Sequence, residues 1–185
     1  MTYSEYKSLM NDLVAKKATT GENQTEALIN YTFLNHKRME RLDKKASLTD
    51  EQKEQIKQFN KPVNWLVLTE SWCGDAAQIM PYMNKIAELN KLINFKVLLR
   101  DENLELMDAH LTNGGRAIPK LVIQEKDSEK VIGTFGPRPQ KATQMVTDFK
   151  AKNGELTSEF KKDLQIWYTK DKGKEIIKDL LLLLN

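Results

Sequence analysis

The chain has 185 residues, 40% apolar and 30% charged, with a formal net charge of +3. This is the balance of a globular domain that can bury a substantial core. It is too weakly basic to mark a nucleic-acid binder, and no lysine–arginine stretch is interleaved with stacking aromatics. A single cysteine excludes an internal disulfide and fits a reducing cytosol. The leucine run at 180–184 is far too short to span a bilayer, and the N-terminus lacks the basic and apolar regions of a secretory signal. A cytoplasmic protein without membrane contact is therefore expected.

Residues 1–60 read as helical. Tyr3, Tyr6, Met10 and Leu13 recur at three- and four-residue steps. A second helix is predicted over about 22–45, with Leu28, Tyr31, Leu34, Met39 and Leu42 as its apolar positions. Thr49-Asp50-Glu51-Gln52 has the pattern of a capping box for a third helix carrying Ile56 and Phe59, and Lys61-Pro62 ends it. A buried strand follows at 63–69, then a helix from Ala76 onward that buries Ile79, Met80, Met83 and Ile86. Phe95 to Leu99 is a second strand, Asn103 to Leu111 a short helix, and Asn113-Gly114-Gly115 a loop. Leu121-Val122-Ile123 and Val131 to Phe135 form a hairpin, and a helix covers about 140–151. Asn153-Gly154 breaks the chain before one long amphipathic helix over 158–184.

Cys73 sits where chemistry is easiest to build, between the first strand and the helix after it. Backbone N–H groups at a helix start are unpaired and the dipole end there is positive, so a thiolate is favoured. Asp75, two residues on, opposes this by like charge. Glu70, His36 and His110 read as surface groups. No His, Cys and Asp cluster has zinc spacing, so neither a metal nor a cofactor is expected.

Trp72-Cys73-Gly74 after a strand resembles the active-site turn of the thioredoxin superfamily. Pro81, eight residues past Cys73, matches the family's helix-kinking proline, and Arg116-Ala117-Ile118-Pro119 is similar to the segment around its cis-proline. Gly136 stands at about the distance of a family glycine near the same surface. The resemblance covers roughly residues 62–150. It implies a thioredoxin-like α/β fold, with a mixed four-stranded sheet and flanking helices. Residues 1–61 would be an N-terminal helical extension packed on a core at 62–152, and 153–185 would supply a C-terminal helix of the same domain.

Three departures limit what carries over. Ala76 stands where the family has its second cysteine, Asp75 replaces the usual proline, and Val67 occupies the position of the buried proton-accepting aspartate. With Gly74-Asp75-Ala76 the motif is similar to a branch of thioredoxin-like bacterial proteins. Three readings follow. The first is a monothiol thiol–disulfide oxidoreductase, in which Cys73 forms mixed disulfides with a disulfide-containing protein or a low-molecular-weight thiol and an external thiol resolves them. The second is a redox-inactive module that binds a peptide or protein. The third is a carrier of an iron–sulfur cluster shared between two chains. Trp72, Gly74, Asp75, Ala76, Arg116, Ile118 and Pro119 are the expected binding residues. Trp72 would shield the thiol or simply pack at the surface, Arg116 reads first as a solvated loop arginine and second as the holder of a small thiol's carboxylate, and Ile118-Pro119 would offer a strand edge to a partner.

Overall fold

A computed structural model describes residues 1–184. Three capped helices come first: α1 (Tyr3–Lys16), α2 (Glu26–Lys45) and α3 (Asp50–Gln58). The Thr49–Gln52 capping box of α3 forms as its sequence pattern requires, and Thr2 with Glu5 makes another on α1. Then come β1 (Val63–Thr69), α4 (Gly74–Leu89), β2 (Ile93–Leu99), a 3₁₀ turn at Arg100–Glu102, and α5 (Leu104–Asp108). The hairpin of β3 (Lys120–Glu125) and β4 (Val131–Phe135) precedes α6 (Gln140–Asn153), α7 (Ser158–Asp171) and α8 (Lys174–Leu181).

The strands form one mixed sheet in the order β2-β1-β3-β4. β1 runs parallel to β2 and antiparallel to β3, so it is central and loses both faces to the interior. Trp65, Val67 and Leu68 are fully buried there. Val67 pairs across the sheet with Val97 on one side and Leu121 on the other. An ionised side chain at that position would be buried among apolar neighbours, which is expensive without a partner.

The first sixty residues contribute to the same core as the sheet. Met10, Met39 and Ile56 are fully buried. Each adds roughly 1.5–3 kcal/mol of hydrophobic stabilisation.

Several expectations are corrected. α2 begins at Glu26 rather than 22, and its apolar residues do not all face inward. Tyr31 and Leu34 are exposed, while Thr32, Asn35 and His36 are buried beside Met39 and Leu42. The inward face of its first half is polar because it meets a polar loop, described below. His36, expected at the surface, lies against α1 with its Nε2 on Asn11 Oδ1.

The long C-terminal helix is two helices. The chain turns at Lys172 (φ 55°) and Gly173 (φ 79°), both left-handed. A Cβ on Gly173 would lie 2.2 Å from the Tyr82 ring on α4. Both the backbone conformation and the close approach require glycine there.

Candidate functional site

Cys73 is the N-cap of α4. Its Sγ accepts the Ala76 backbone N–H at 3.4 Å and donates to the Ile118 carbonyl at 3.3 Å. The Ile118–Pro119 peptide is cis, as is Gly136–Pro137. Gly136 adopts φ 114° against the Pro119 carbonyl; a Cβ there would lie 2.1 Å from that oxygen. The sequence stretches around 73, 118 and 136 thus meet at one end of the sheet.

The thiol is enclosed. Cys73 is 7% exposed, and Ala76, Ile118 and Pro119 beside it are also buried. Burial first, and Asp75 second, push the Cys73 thiol up to about 12. The N–H groups of Ala76 and Asp75, and Arg138, pull the other way and do not win. The helix start therefore does not hold a thiolate in the closed protein, which corrects the expectation from position alone: the helix-end preference is modest, whereas desolvation can move a buried group by several units.

Asp75 is buried and not solvated. Its Oδ2 pairs with Arg138 Nη2 at 2.7 Å, and its Oδ1 accepts the Tyr168 hydroxyl at 3.0 Å. Burial nevertheless pushes its carboxyl above the usual range. Neither Arg138 nor Tyr168 carries a sequence signal of this role. Arg138 lies between two prolines past β4, and Tyr168 reads as one more core position of α7. The pairing joins residues 63 and 93 positions apart, which periodicity within an element cannot show.

The segment before the cysteine is tied to the N-terminal helices. Ser71 Oγ lies 2.8 Å from Thr32 Oγ1 and 3.0 Å from Thr19 Oγ1, and it accepts the Thr20 backbone N–H at 3.0 Å. Ser71 N–H donates to Thr20 Oγ1, and Asn35 Nδ2 donates to the Ser71 carbonyl. This is the polar loop that the polar face of α2 covers. On its other flank the loop meets α7: a Cβ on Gly74 would lie 3.3 Å from Gln165 Nε2, whose Oε1 accepts from Gln78 at 2.9 Å.

The remaining expected residues are placed as follows. Trp72 is half-buried with the Arg100 guanidinium 5.1 Å over its ring. Arg116 is exposed and makes a two-pronged contact with Asp108 at 2.6 and 2.7 Å, so its fork is already occupied by a carboxylate of its own chain. Glu70, expected to be solvated, is buried with Oε1 on the Asp101 backbone N–H. Tyr6 of α1 is buried too, and burial first, then the charges of Cys73 and Glu70, push its hydroxyl's pKa up. Among the described residues no three His, Cys, Asp or Glu side chains are grouped to hold a metal ion, and no helix is long and apolar enough to cross a membrane.

A thioredoxin family model matches residues 21–150. No curated protein matches the chain. Among solved structures, a Pseudomonas aeruginosa protein of unknown function is similar with a TM-score of 0.61 at 16% identity, covering 99% of this chain and 96% of that one. An HIV epitope-scaffold protein is similar with a TM-score of 0.59, also at 16% identity, covering 99% and 97%. Likeness at this identity concerns the fold. Both matches extend over the helices before and after the sheet as well as the sheet itself.

Proposed function

Since this chain belongs to the thioredoxin family, we propose that it is a monothiol thiol–disulfide exchange protein with Cys73 as nucleophile. What supports this most is one observation: Sγ sits between the Ala76 N–H and the Ile118 carbonyl, beside a cis proline.

In the proposed cycle the site opens, Sγ gives its proton to solvent, and the two N–H groups of Ala76 and Asp75 stabilise the thiolate. The thiolate attacks one sulfur of a partner disulfide. A Cys73–partner disulfide forms, the partner's S–S bond breaks, and the departing thiolate takes up a proton. Ala76 cannot resolve this intermediate. A second, external thiol attacks the mixed disulfide, its sulfur becomes joined to the partner, and Cys73 leaves as a thiol. At this point one disulfide has been exchanged for another and the protein ends as it began. A further external thiol that attacks the new disulfide frees the partner's remaining thiol and leaves the two external thiols joined, and two electrons have then passed to the partner. The partner is a disulfide-containing protein or a small thiol in the cytoplasm, held by Trp72, Gly74 and the Ile118–Pro119 edge.

The test is intact mass after incubation with glutathione disulfide at neutral pH. One adduct, reversed by excess thiol and missing in Cys73→Ser, is the expected result. No adduct on the native protein, with rapid labelling once it is unfolded in urea, would sink the exchange reading. The second reading, a redox-silent binding module, is favoured by the burial of the thiol and its upward-shifted pKa. On that reading Cys73→Ser retains its partner at unchanged affinity.

A further inference from the structure

Three residues before Cys73 the chain buries a second carboxylate that the exchange chemistry leaves unused. Glu70 is 1% exposed. Its Oε1 is bonded to the Asp101 N–H, but Oε2 is sealed away and has no hydrogen-bond partner. The nearby Thr20 hydroxyl eases this carboxylate, yet it is engaged with Ser71 Oγ and the Ser71 N–H. A buried carboxylate oxygen without a donor is an expensive feature for a fold to keep, and such an atom is a place to look for something bound.

Glu70 lines a groove of about 680 Å³ together with Glu22, Asp101, Glu102, Leu104 and Arg116. Arg116 is held by Asp108, and Asp101 by Arg100. Glu22, Glu102 and the unpartnered oxygen of Glu70 leave the groove negative. Since the carboxylates are not grouped to hold a metal ion, the complementary ligand is an organic cation. A lysine side chain fits: an ammonium carries three donors for the exposed Glu22 and Glu102 carboxylates, the buried Glu70 charge adds to their attraction, and its methylene stem can lie along Leu104. The groove runs from the loop before α2 to Arg116, which leads directly into Ile118–Pro119.

We infer that this groove receives a lysine side chain of a partner polypeptide lying along the Ile118–Pro119 edge, with Glu70 as its counter-charge. The inference deepens the reading of Cys73 as the site of partner contact by naming the partner's chemistry.

The test is titration of Nα-acetyl-lysine amide into the ¹⁵N-labelled full chain carrying Cys73→Ser, followed by amide NMR shifts. Saturable shifts at Gly21, Asn23, Asp101 and Glu102 are expected, and affinity should fall at least tenfold in Glu70→Gln. The exposed Glu102→Gln should weaken binding two- to threefold and guards against a Glu70 variant that does not fold. Nα-acetyl-norleucine amide, matched in shape but uncharged, should give no saturable shift. Equal binding of norleucine and lysine amides, or unchanged affinity in the variants that fold, overturns the inference. Equal binding of n-butylamine and lysine amide would also overturn it, assigning the site to free amines instead. Because the cysteine is absent, lysine binding persists if the exchange reading alone fails; there, only the glutathione adduct is lost.

Discussion

Two buried acids flank Cys73, and their surroundings differ. Asp75 follows it and is fully engaged, by the Arg138 guanidinium and the Tyr168 hydroxyl. Glu70 precedes it and is half engaged, with one oxygen on a backbone N–H and the other unpartnered. In both, burial pushes the carboxyl upward. Asp75 is also among the causes that raise the Cys73 thiol, whereas Glu70 is not. The difference separates two uses of the same side-chain chemistry within six residues. A carboxylate with both oxygens engaged adds to the electrostatics of its neighbour, while one buried with an oxygen unpartnered beside a groove is the one we propose attracts a ligand.

The largest expected effect comes from stripping the engaged acid. Arg138→Met leaves Asp75 without its cation and should cost on the order of 3–5 kcal/mol of stability in urea denaturation. A loss below about 1 kcal/mol would mean that the carboxyl is neutral in the native protein and needs no cation.

Asp75→Asn removes the like charge beside the thiol and frees Arg138 toward it. Iodoacetamide labelling of Cys73 at pH 7 should then speed up by roughly tenfold or more, the scale of one neighbouring charge. An unchanged rate would leave burial as the sole cause. Glu70→Gln sharpens the contrast, since its labelling rate should stay within about twofold of the parent.

The parent protein itself should show no reactivity plateau at neutral pH. With the thiol pushed up to about 12, the labelling rate should keep climbing well above the ordinary cysteine value of about 8.5. The same shift makes a stability statement. The folded thiol holds its proton more tightly than the unfolded one, so its contribution is complete below about 8.5 and is lost as pH rises toward the folded value. A labelling profile that levels off near pH 7 would overturn both.

Smallest is the effect of the half-engaged acid on folding. A carboxyl raised by burial contributes stability that is present below its unfolded pKa and lost as pH rises through the folded one. Glu70→Gln should therefore be no less stable than the parent at pH 7, by about 0–1 kcal/mol, and the gap should close at pH 4. Destabilisation at pH 7 would show that the charged form is held by partners other than the Asp101 N–H.

Much of this fold is legible in the sequence because its elements are locally marked. The Thr49–Gln52 capping box, the apolar run of β1 and Pro62 each state a boundary within a few residues. Cys73, Ile118 and Pro119 could be grouped because the resemblance orders them, and the structure brings Sγ to the Ile118 carbonyl. What could not be read was burial of polar groups. Glu70, Asp75, Thr32 and His36 carry the chemistry of surface residues, and only the helices packed over them make them interior. The break at Gly173 was hidden for a related reason. Glycine inside a helical pattern is often tolerated; what makes it a turn here is the Tyr82 ring, 91 positions earlier in the chain.

The hydroxyl knot at Ser71 has a kinetic consequence. Helix α2 is fastened to the residue two before the nucleophile, and α7 lies over the glycine just after it. Access to sulfur is then expected to depend on how often these two helices part. With a fast reagent in excess, the modification rate should stop rising with reagent concentration and settle at the opening frequency. Thr32→Val, which removes one hydroxyl from the knot, should raise that ceiling while leaving the chemistry of the exposed sulfur unchanged.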